Sequence, residues 1–489
     1  MERNISKIIE KLFNSYKKMP IPVKASFWFT VCSIMQKGIA FVTVPIFTRL
    51  LTTDEFGIYQ VYQSWIDVLS IFATLKLAAG VYNNAMLKFK DTREEMTASF
   101  QGLSTTVSFI LFMFFLCFRS QWEKLFTLPD ILVCIMFLEI FLSVSLQLWA
   151  AKQRFEYQYK TLVIVNVAMA FLAPILSIIG IIVFPYNRGI VRALVFSGIN
   201  IVVCLFFYLR IFYKGKCFFH KIYWEFALKF NVPLIPHYLS MSILNQVDRI
   251  MISYICGVGE AGVYGLAYSV GMLVSIMINA VNSSLIPYIY KAINENQYKK
   301  LKKVTTIVVG IIAILVVGII GMAPEIILII GGKEYYGAIW IVPPVAISAF
   351  FIFLYSLYAD IEFYYEKTGY VMVASFSGAV INVVLNLIFI PCFGYLTAGF
   401  TTLISYIIVA IIHYFFMKKI LRQKKLEAVY NEKAGWGISI LLLIISSIFM
   451  GLYLYNWIRY LFFIILACIF VFFIRKRGIK YENNSRSSN

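Results

Sequence analysis

Apolar stretches long enough to cross a bilayer follow one another along almost the whole chain. A membrane-spanning helix needs about 20 mostly apolar residues, and about fourteen such stretches are separated by short polar segments. The pattern predicts an all-α polytopic membrane protein. The predicted spans are 25–50, 59–80, 98–118, 129–150, 161–184, 189–212, 230–256, 262–290, 304–330, 337–360, 370–391, 395–417, 435–455 and 457–474.

Longer polar segments group these spans into two six-helix halves and two additional helices. The predicted layout is a cytoplasmic amphipathic N-terminal segment at 1–24, an N-lobe at 25–212, a cytoplasmic linker at 213–229, a C-lobe at 230–417, a cytoplasmic linker at 418–434, two extra helices at 435–474 and a cytoplasmic tail at 475–489. In the N-terminal segment, apolar residues of 5–16 share one helical face, as in a helix that lies in the membrane interface. A frayed tail is the alternative for this segment.

The two halves share a short repeated motif. Residues 54–64 read DEFGIYQVYQS and residues 259–269 read GEAGVYGLAYS, so that Gly57 matches Gly262 and Tyr59 matches Tyr264. Both copies follow the first span of a half and open the second. Because six spans, an even number, separate the copies, the two halves have the same orientation in the membrane. The repeat therefore predicts parallel lobes related by an axis along the membrane normal.

The basic residues are distributed unevenly between the two sides of the predicted membrane. Most of the 44 Lys and Arg residues lie in alternate loops and in both terminal segments, which the positive-inside rule places in the cytoplasm. Of all residues, 61% are hydrophobic and 14% are charged. The net charge of +20 does not indicate a nucleic-acid partner, because the basic residues occupy short loops where they face anionic lipid head groups.

Sequence motifs of enzymes and metal sites are missing from the chain. The eight cysteines form no CxxC pair, and the three histidines are far apart in sequence. Walker, GxSxG and HExxH motifs do not occur. The sequence therefore predicts no cofactor, no metal site and no enzymatic activity.

Charged residues within the predicted spans are the strongest indication of function, because charge inside a bilayer is costly and usually serves a purpose. Lys37 lies near mid-membrane on a polar stripe of the first span, and Asp67 of the second span lies at a similar depth. Arg249 belongs to a polar stripe of the seventh span, with Asp248 at its edge. Glu139 lies in the fourth span.

A cavity that contains Lys37 and Arg249 suits an anionic ligand, since ammonium and guanidinium groups bind phosphate oxygens. The alternative is that Lys37 pairs with Asp67, and Arg249 with Asp248, only to fix helix packing. Asparagines on helix faces also serve as hydrogen-bonding contacts between helices. The candidate substrate-binding residues are Lys37, Arg249, Asn245, Asn279, Asn282 and Asn382. The candidate ion-coupling residues are Asp67, Asp248 and Glu139.

Several segments together resemble one transporter family. They are the stretch from Pro45 to Tyr59, Pro233 and Pro236 followed by Asp248-Arg249 and Gly262–Ala267, Gly332–Tyr335, and the stretch from Asn382 through Pro391 to Gly399. The order and spacing of these segments resemble those of the O-antigen and capsular polysaccharide flippases. These flippases are the polysaccharide transporter branch of the multidrug/oligosaccharidyl-lipid/polysaccharide exporter superfamily. The chain departs from the usual family pattern at Thr397, where a glycine normally precedes the alanine.

The resemblance implies two six-helix lobes that form a V-shaped cavity and alternate between inward and outward openings. The implied substrate is an undecaprenyl-pyrophosphate-linked oligosaccharide, whose head group crosses the cavity while its lipid tail stays in the bilayer. Lys37 and Arg249 would bind the pyrophosphate, and the extra helices would help form a groove for the tail. The implied location is a bacterial cytoplasmic membrane, with a polysaccharide polymerase and other assembly proteins as possible partners.

Two other functions remain open at this point. A cation-coupled exporter of small molecules would share the fold, although a basic cavity disfavours cationic drugs. A membrane glycosyltransferase or polymerase would require larger outward loops than this sequence contains.

Overall fold

The computed structural model describes residues 19–466 and 468 of the chain, and it is built from helices. The α-helices are α1 Ile21–Leu50, α2 Thr53–Thr74, α3 Gly80–Lys88, α4 Arg93–Cys117, α5 Arg119–Phe126, α6 Asp130–Phe155, α7 Tyr159–Val183, α8 Arg188–Gly215, α9 Lys221–Asn231, α10 Ile235–Ser242, α11 Asp248–Ile255, α12 Val258–Gly271, α13 Val274–Asn294, α14 Tyr298–Gly321, α15 Ala323–Ile330, α16 Val342–Tyr364, α17 Thr368–Phe393, α18 Thr397–Gln423, α19 Glu432–Leu452 and α20 Asn456–Leu466. The N-terminal segment up to residue 18, the end of the last predicted span and the predicted tail lie outside the described residues.

The predicted all-α polytopic membrane fold is confirmed. Among the described residues, 10 helices are long and apolar enough to cross a membrane, or 11 if the bent pair α12 and α13 is one span. These helices correspond to eleven of the predicted spans. Of the other three predicted spans, 59–80 is the more polar helix α2, 230–256 is broken into several pieces, and 457–474 is described only in part. The prediction of about fourteen spans is compatible with this structure.

Local signals set the ends of α2. Thr52 and Glu55 form a reciprocal capping box, in which each side chain binds the backbone N–H of the other residue. The helix therefore begins before the predicted start of its span. It ends at Thr74 because Leu75 and Lys76 adopt positive φ angles of 47° and 49°. Lys76, predicted inside the span, thus lies in a turn.

The predicted span 230–256 is broken twice. Pro233 and Pro236 lack backbone N–H donors, and a 3₁₀ turn at Val232–Leu234 separates α9 from α10 at this point. A π-helical turn at Ile243–Val247 then separates α10 from α11. Because π turns shift the register of side chains and occur often at functional sites, this second break is of particular interest.

The chain divides by its internal packing into two units. Unit 1 contains residues 19–266, Ile330–Tyr335 and Gly369–Thr401, and unit 2 contains Ala267–Ile329, Tyr336–Thr368 and residues 402–466. The predicted lobes at 25–212 and 230–417 are defined by a sequence repeat rather than by packing, and those boundaries stay a prediction.

In unit 1, α6 and α8 pack along each other most extensively. Trp149 of α6 stacks on Phe207 of α8 with ring centroids 4.2 Å apart. These rings belong to a buried apolar cluster that also contains Tyr82 and Phe100. Large apolar side chains elsewhere on the long helices are exposed, such as Val202 and Ile164, as expected of surfaces that face lipid.

The two copies of the repeated motif meet within unit 1 through glycines. A Cβ built on Gly262 would lie 2.9 Å from the nitrogen and 3.0 Å from the Cα of Gly57. A Cβ built on Gly57 would overlap the carbonyl group of Val258, and one built on Gly189 would overlap that of Glu55. Helices approach so closely only where the facing residues are small. The glycines of the motif are therefore explained by helix contact at this end of the bundle.

Arg192 is buried beside this glycine contact. The ion pairs among the described residues do not include it. The Arg192 guanidinium, 6% exposed, lies 3.9 Å from the ring centroids of both Phe47 and Tyr59. Phe56 is a third aromatic neighbour at 5.0 Å. Cation–π contacts gain strength when the cation is desolvated, so they offset part of the cost of burying this charge.

In unit 2, one buried ion pair fastens α20. Arg459 is fully buried and donates to the Glu325 carboxylate of α15 and, at 3.2 Å, to the Gly321 carbonyl. Tyr453 donates to the Ile320 carbonyl at 2.7 Å. These contacts attach the segment after α19 to the end of α14.

We predict that Gly57→Ala and Gly262→Ala each lower the thermal stability of the detergent-purified protein. Overpacking of a tight contact typically costs about 1–3 kcal/mol. Gly38→Ala is the matched control, since a Cβ there meets nothing within 4 Å and alanine is the better helix former. Equal melting temperatures for the three variants would contradict the proposed role of the glycine contact.

Candidate functional site

The predicted pair of Lys37 and Asp67 is not formed. Lys37 is exposed on α1, and the ion pairs among the described residues do not include it. Asp67 of α2 instead accepts a hydrogen bond of 2.6 Å from the Gln246 side-chain amide. The partner of Asp67 thus comes from the broken seventh span rather than from α1.

Gln246 also contacts the buried arginine that the sequence singled out. Its Oε1 accepts a hydrogen bond of 2.5 Å from Arg249 Nη1 and one of 3.2 Å from Ser64 Oγ. One amide side chain therefore joins a carboxylate to a guanidinium. We call Asp67, Gln246 and Arg249 the amide relay. Arg249 is 7% exposed, whereas Asp67 at the other end of the relay is exposed.

The π turn positions this relay. Asn245 and Gln246 lie within Ile243–Val247, and Arg249 follows in the first turn of α11. Arg249 Nη1 also donates to the Asn245 carbonyl at 3.2 Å, a backbone group of the irregular segment. The Asn245 side chain donates to the Met241 carbonyl at 2.6 Å. Asn245 therefore contributes to the local geometry of the π turn and of the guanidinium.

Asp248, the residue before Arg249, hydrogen-bonds to a tyrosine and to an asparagine. Asp248 is 1% exposed and accepts hydrogen bonds from Tyr264 at 2.5 Å and from the Asn386 amide at 2.6 Å. The side-chain oxygen of Asn386, Oδ1, accepts a hydrogen bond from the Thr401 hydroxyl. The side-chain nitrogen of Asn386, Nδ2, lies 3.4 Å from Asn382 Oδ1. We call these residues the Asp248 network: Asp248, Tyr264, Asn382, Asn386 and Thr401.

The Asp248 network contains the chemistry of a site for a small cation. All five side chains are buried, and they present carboxylate, amide or hydroxyl oxygens from α11, α12, α17 and α18. Such oxygens are the ligands that hard cations prefer. Asn382, proposed from the sequence as a sugar contact, belongs to this buried network in the structure.

Glu139 forms a second buried network with neutral donors. It is 6% exposed on α6 and accepts hydrogen bonds from Tyr62 at 3.1 Å and from the Asn200 amide at 2.9 Å. The Tyr62 hydroxyl also lies 2.8 Å from Ser197 Oγ. Among the contacts of the described residues, no basic side chain takes part in this network. Glu139 is therefore a buried carboxylate that neutral hydrogen-bond donors hold in place.

The other two candidate asparagines lie in unit 2. Asn279 is exposed on α13. Asn282, one turn further on, places its amide nitrogen 3.5 Å from Ser356 Oγ, at the limit of a hydrogen bond. The structure thus brings Asp67, Asn245 and Arg249 together in unit 1, and it places Asp248 with Asn382 in the adjoining buried network.

Two residues of these networks, Gln246 and Asn386, are not among the candidates from the sequence. Gln246 joins Asp67 to Arg249, and Asn386 joins Asp248 to Thr401. Asn386 follows Asn382 by four residues, so both lie on one face of a helix, which is a usable signal. Tyr264 is one of the matched positions of the internal repeat, and its partner Asp248 cannot be inferred from that pattern.

A separate polar cavity in unit 1 does not include the candidate residues. It has a volume of about 320 Å³, and its lining includes Lys152, Arg210, Lys214, Glu94 and Glu156. Lys152 forms an ion pair with Glu94 inside it. These residues belong to the ends of α4, α6 and α8 that the charge distribution predicts to be cytoplasmic.

Solved transporter structures share this fold. The lipid II flippase MurJ superimposes with a TM-score of 0.70 at 15% identity, over 92% of this chain and 99% of that protein. A multidrug resistance MATE family transporter of the MOP superfamily superimposes with a TM-score of 0.63 at 15% identity, over 82% of this chain and 96% of that protein. At such low identity, these similarities establish the fold alone.

Sequence relatives place the chain among membrane proteins. Protein 1 of the Lsg locus of Haemophilus influenzae is 24% identical over 74% of this chain and 89% of its own length. An uncharacterized membrane protein of Methanocaldococcus jannaschii is 26% identical over 82% of this chain and 98% of its own length. The MatE family matches residues 233–388, and the family of polysaccharide biosynthesis proteins matches residues 23–293, more than half of the chain. The chain is therefore a multi-pass membrane protein that belongs to the polysaccharide biosynthesis protein family.

Proposed function

We propose that this protein is a flippase for undecaprenyl-pyrophosphate-linked oligosaccharides. It moves the repeat unit of an O-antigen, capsule or exopolysaccharide from the inner to the outer leaflet of a bacterial cytoplasmic membrane by alternating access. Both termini lie in the cytoplasm, and a polysaccharide polymerase receives the product. The family and the transporter fold support a transport role, without a bond-making step.

The observation that carries this proposal is the buried guanidinium of Arg249. A charge that remains inside a membrane helix has to be stabilised, and the buried Arg249 guanidinium donates to the neutral side-chain oxygen of Gln246 at 2.5 Å. An amide oxygen is a weaker acceptor for a guanidinium than an anion is. A pyrophosphate oxygen can therefore replace Gln246 at Arg249 with a gain in interaction energy.

Replacement of Gln246 by pyrophosphate at Arg249 also changes the surroundings of Asp67, because Gln246 contacts both residues. The Gln246 amide binds Arg249 through its oxygen and Asp67 through its nitrogen. A phosphate that displaces the oxygen frees the amide to rotate, so the hydrogen bond to Asp67 changes at the same time. Binding of the substrate and the charge state of Asp67 are coupled in this way. Lys37, exposed on α1, supplies a second cation for the same anion.

Transport against a gradient requires an energy source, and we propose that buried carboxylates bind the coupling ion. Asp248 is surrounded by the amide and hydroxyl groups of Asn386, Thr401 and Tyr264. Glu139 is surrounded by Tyr62, Asn200 and Ser197. A cation that enters either network replaces hydrogen-bond donors at the carboxylate. The side chains around it then reorient, which links ion binding to a change in helix packing.

We predict that Arg249→Glu abolishes flipping and that Arg249→Lys retains part of it. The lysine keeps a positive charge but loses the planar fork that binds phosphate at two points. Loss of a charge-assisted hydrogen bond of about 1.5–3 kcal/mol corresponds to a roughly tenfold to hundredfold weaker interaction. The measurement is the amount of undecaprenyl-linked repeat unit on each face of the membrane, in a deletion strain that carries each variant.

Arg119→Glu is the control for charge reversal at an exposed site, since Arg119 pairs with Asp130 on the surface. This variant should behave like the wild type. Membrane content of each variant is measured by immunoblot. Normal flipping by well-inserted Arg249→Glu protein would rule out the pyrophosphate role of Arg249.

We further predict that Asp248→Asn removes ion coupling while the protein remains folded. The amide keeps the shape of the carboxylate but not its charge, so Asn386 and Tyr264 lose part of their interaction energy. Export in cells is compared at varied Na⁺ concentration and external pH. The variant should lose whichever dependence the wild type has, and the exposed variant Asp130→Asn should retain it. An unchanged ion dependence in Asp248→Asn would exclude Asp248 as the coupling site.

A second candidate function is a cation-coupled exporter of small molecules. The match of the MatE family to residues 233–388 favours this alternative. A deletion strain distinguishes the two functions, because loss of the flippase leaves finished lipid-linked units on the cytoplasmic face. Normal lipid-linked glycan with a defect in drug efflux would favour the exporter. Accumulation on the outer face would point to a polymerase.

A further inference from the structure

A buried pair of titratable residues in unit 2 plays no part in the proposed substrate site. Glu362 of α16 and His413 of α18 are both fully buried, and Glu362 Oε1 lies 2.8 Å from His413 Nδ1. We call these two residues the Glu–His couple. Burial of two ionisable groups inside a helix bundle is costly, and replacement of such pairs by apolar residues is often stabilising. A structural purpose alone therefore explains the couple poorly.

The couple also leaves two polar atoms without partners. Glu362 Oε2 and His413 Nε2 are buried, and neither has a hydrogen bond within the described part of the chain. Buried polar atoms are usually paired, and each exception calls for a physical explanation. These two atoms are also the positions at which the couple can take up a proton without breaking its existing hydrogen bond.

An aromatic ring stacks on the histidine. Tyr355 and His413 have ring centroids 5.3 Å apart and an interplanar angle of 13°. Tyr355 also stacks with Tyr406, with centroids 6.3 Å apart. The stacked tyrosine restricts the orientation of the imidazole, and the face of an aromatic ring attracts a cation. This arrangement favours an imidazolium more than an aliphatic neighbour would.

Other charged groups lie on the helices of the couple and on neighbouring helices. On α19, Glu432 accepts from Tyr414 at 2.7 Å and pairs with Lys418 of α18 at 2.9 Å. Lys302 of α14 borders the same polar cavity as Lys418 and Tyr430. Asp360, two residues before Glu362 on α16, is buried and interacts electrostatically with Tyr430 and with Tyr290 of α13. Of these groups, Asp360 is the carboxylate closest to Glu362 in sequence.

We propose that the Glu–His couple is a proton-binding site and that its protonation is part of the transport cycle. With Nδ1 protonated, His413 donates to ionised Glu362, and the couple carries a net charge of −1. Uptake of one proton at Nε2 gives an imidazolium–carboxylate pair of net charge zero. Release of that proton restores the first state. The site stores one proton in a helix bundle, and this role rests on the transport function proposed above.

The titration of His413 can be observed without altering the couple. The chain has three histidines, so full-length protein with His220→Gln and His237→Gln retains only His413. The protein is labelled with ¹⁵N-histidine, incorporated into lipid bilayers and studied by solid-state NMR between about pH 5 and 8, where histidine ordinarily titrates. We expect the Nε2 resonance to change from neutral imidazole to imidazolium. A single, pH-independent resonance over this range would overturn the proposal.

Glu362→Gln then tests the coupling between the two residues. Loss of the carboxylate removes the anion that stabilises the imidazolium, so the midpoint should move to lower pH or leave the range. Tyr355→Phe is the control, because it keeps the stacked ring and removes only a hydroxyl group. Its midpoint should stay close to that of the starting protein. An unchanged midpoint in Glu362→Gln protein of normal thermal stability would show that the two residues do not titrate as a couple.

The role in transport is tested separately in cells. Repeat-unit export by the wild type should fall severalfold when the pH gradient is collapsed at constant membrane potential, and His413→Gln should abolish this sensitivity. The NMR experiment requires no substrate, so failure of the flippase proposal would leave its result intact. Conversely, a deletion strain that accumulates lipid-linked units on the cytoplasmic face, together with a pH-independent His413 resonance, would retain the flippase and refute the proton site.

Discussion

The cost of an unpaired charge inside a membrane shapes the polar part of this protein. Arg249, Asp248, Glu139 and Glu362 are buried in the helix bundle, where a charge is costly. Arg459 forms a direct ion pair with Glu325. At the candidate site, amide and hydroxyl groups hydrogen-bond to Arg249 and to Asp248. A charge that contacts a neutral group can exchange that group for a ligand that binds it more strongly.

The side-chain amide is the group that makes this arrangement possible. An amide both donates and accepts, so it can contact an anion and a cation at once. Gln246 does so between Asp67 and Arg249, and Asn386 lies between Asp248 and Thr401. Rotation of one amide changes both of its contacts together. Two charges that do not touch are thereby coupled, which is the physical requirement of a transporter that exchanges an ion for a substrate.

The sequence predicted the parts of this structure that depend on local periodicity. The apolar spans follow from hydropathy, and Arg249, Asp67 and Asp248 stood out because charge is rare in such spans. The partners of these charges depend on the breaks in the seventh span, and a π turn that redirects Gln246 leaves no clear mark in the sequence. Lys37 and Asp67 lie at similar depth, yet depth alone does not determine which helices are neighbours. Glu362 and His413 are 51 residues apart on different helices, so only the fold brings them together.

The two copies of the repeated motif share one contact and differ in another. Gly57 and Gly262 have the same role, because each allows the other copy of the motif to approach closely. The paired tyrosines have different neighbours: the Tyr59 ring centroid lies 3.9 Å from the Arg192 guanidinium, and Tyr264 donates a hydrogen bond to Asp248 at 2.5 Å. Both tyrosines therefore attach the glycine contact to a buried charge. In the proposed transport cycle, a helix contact that is linked in this way to two buried charges can respond to the binding of ions and of substrate.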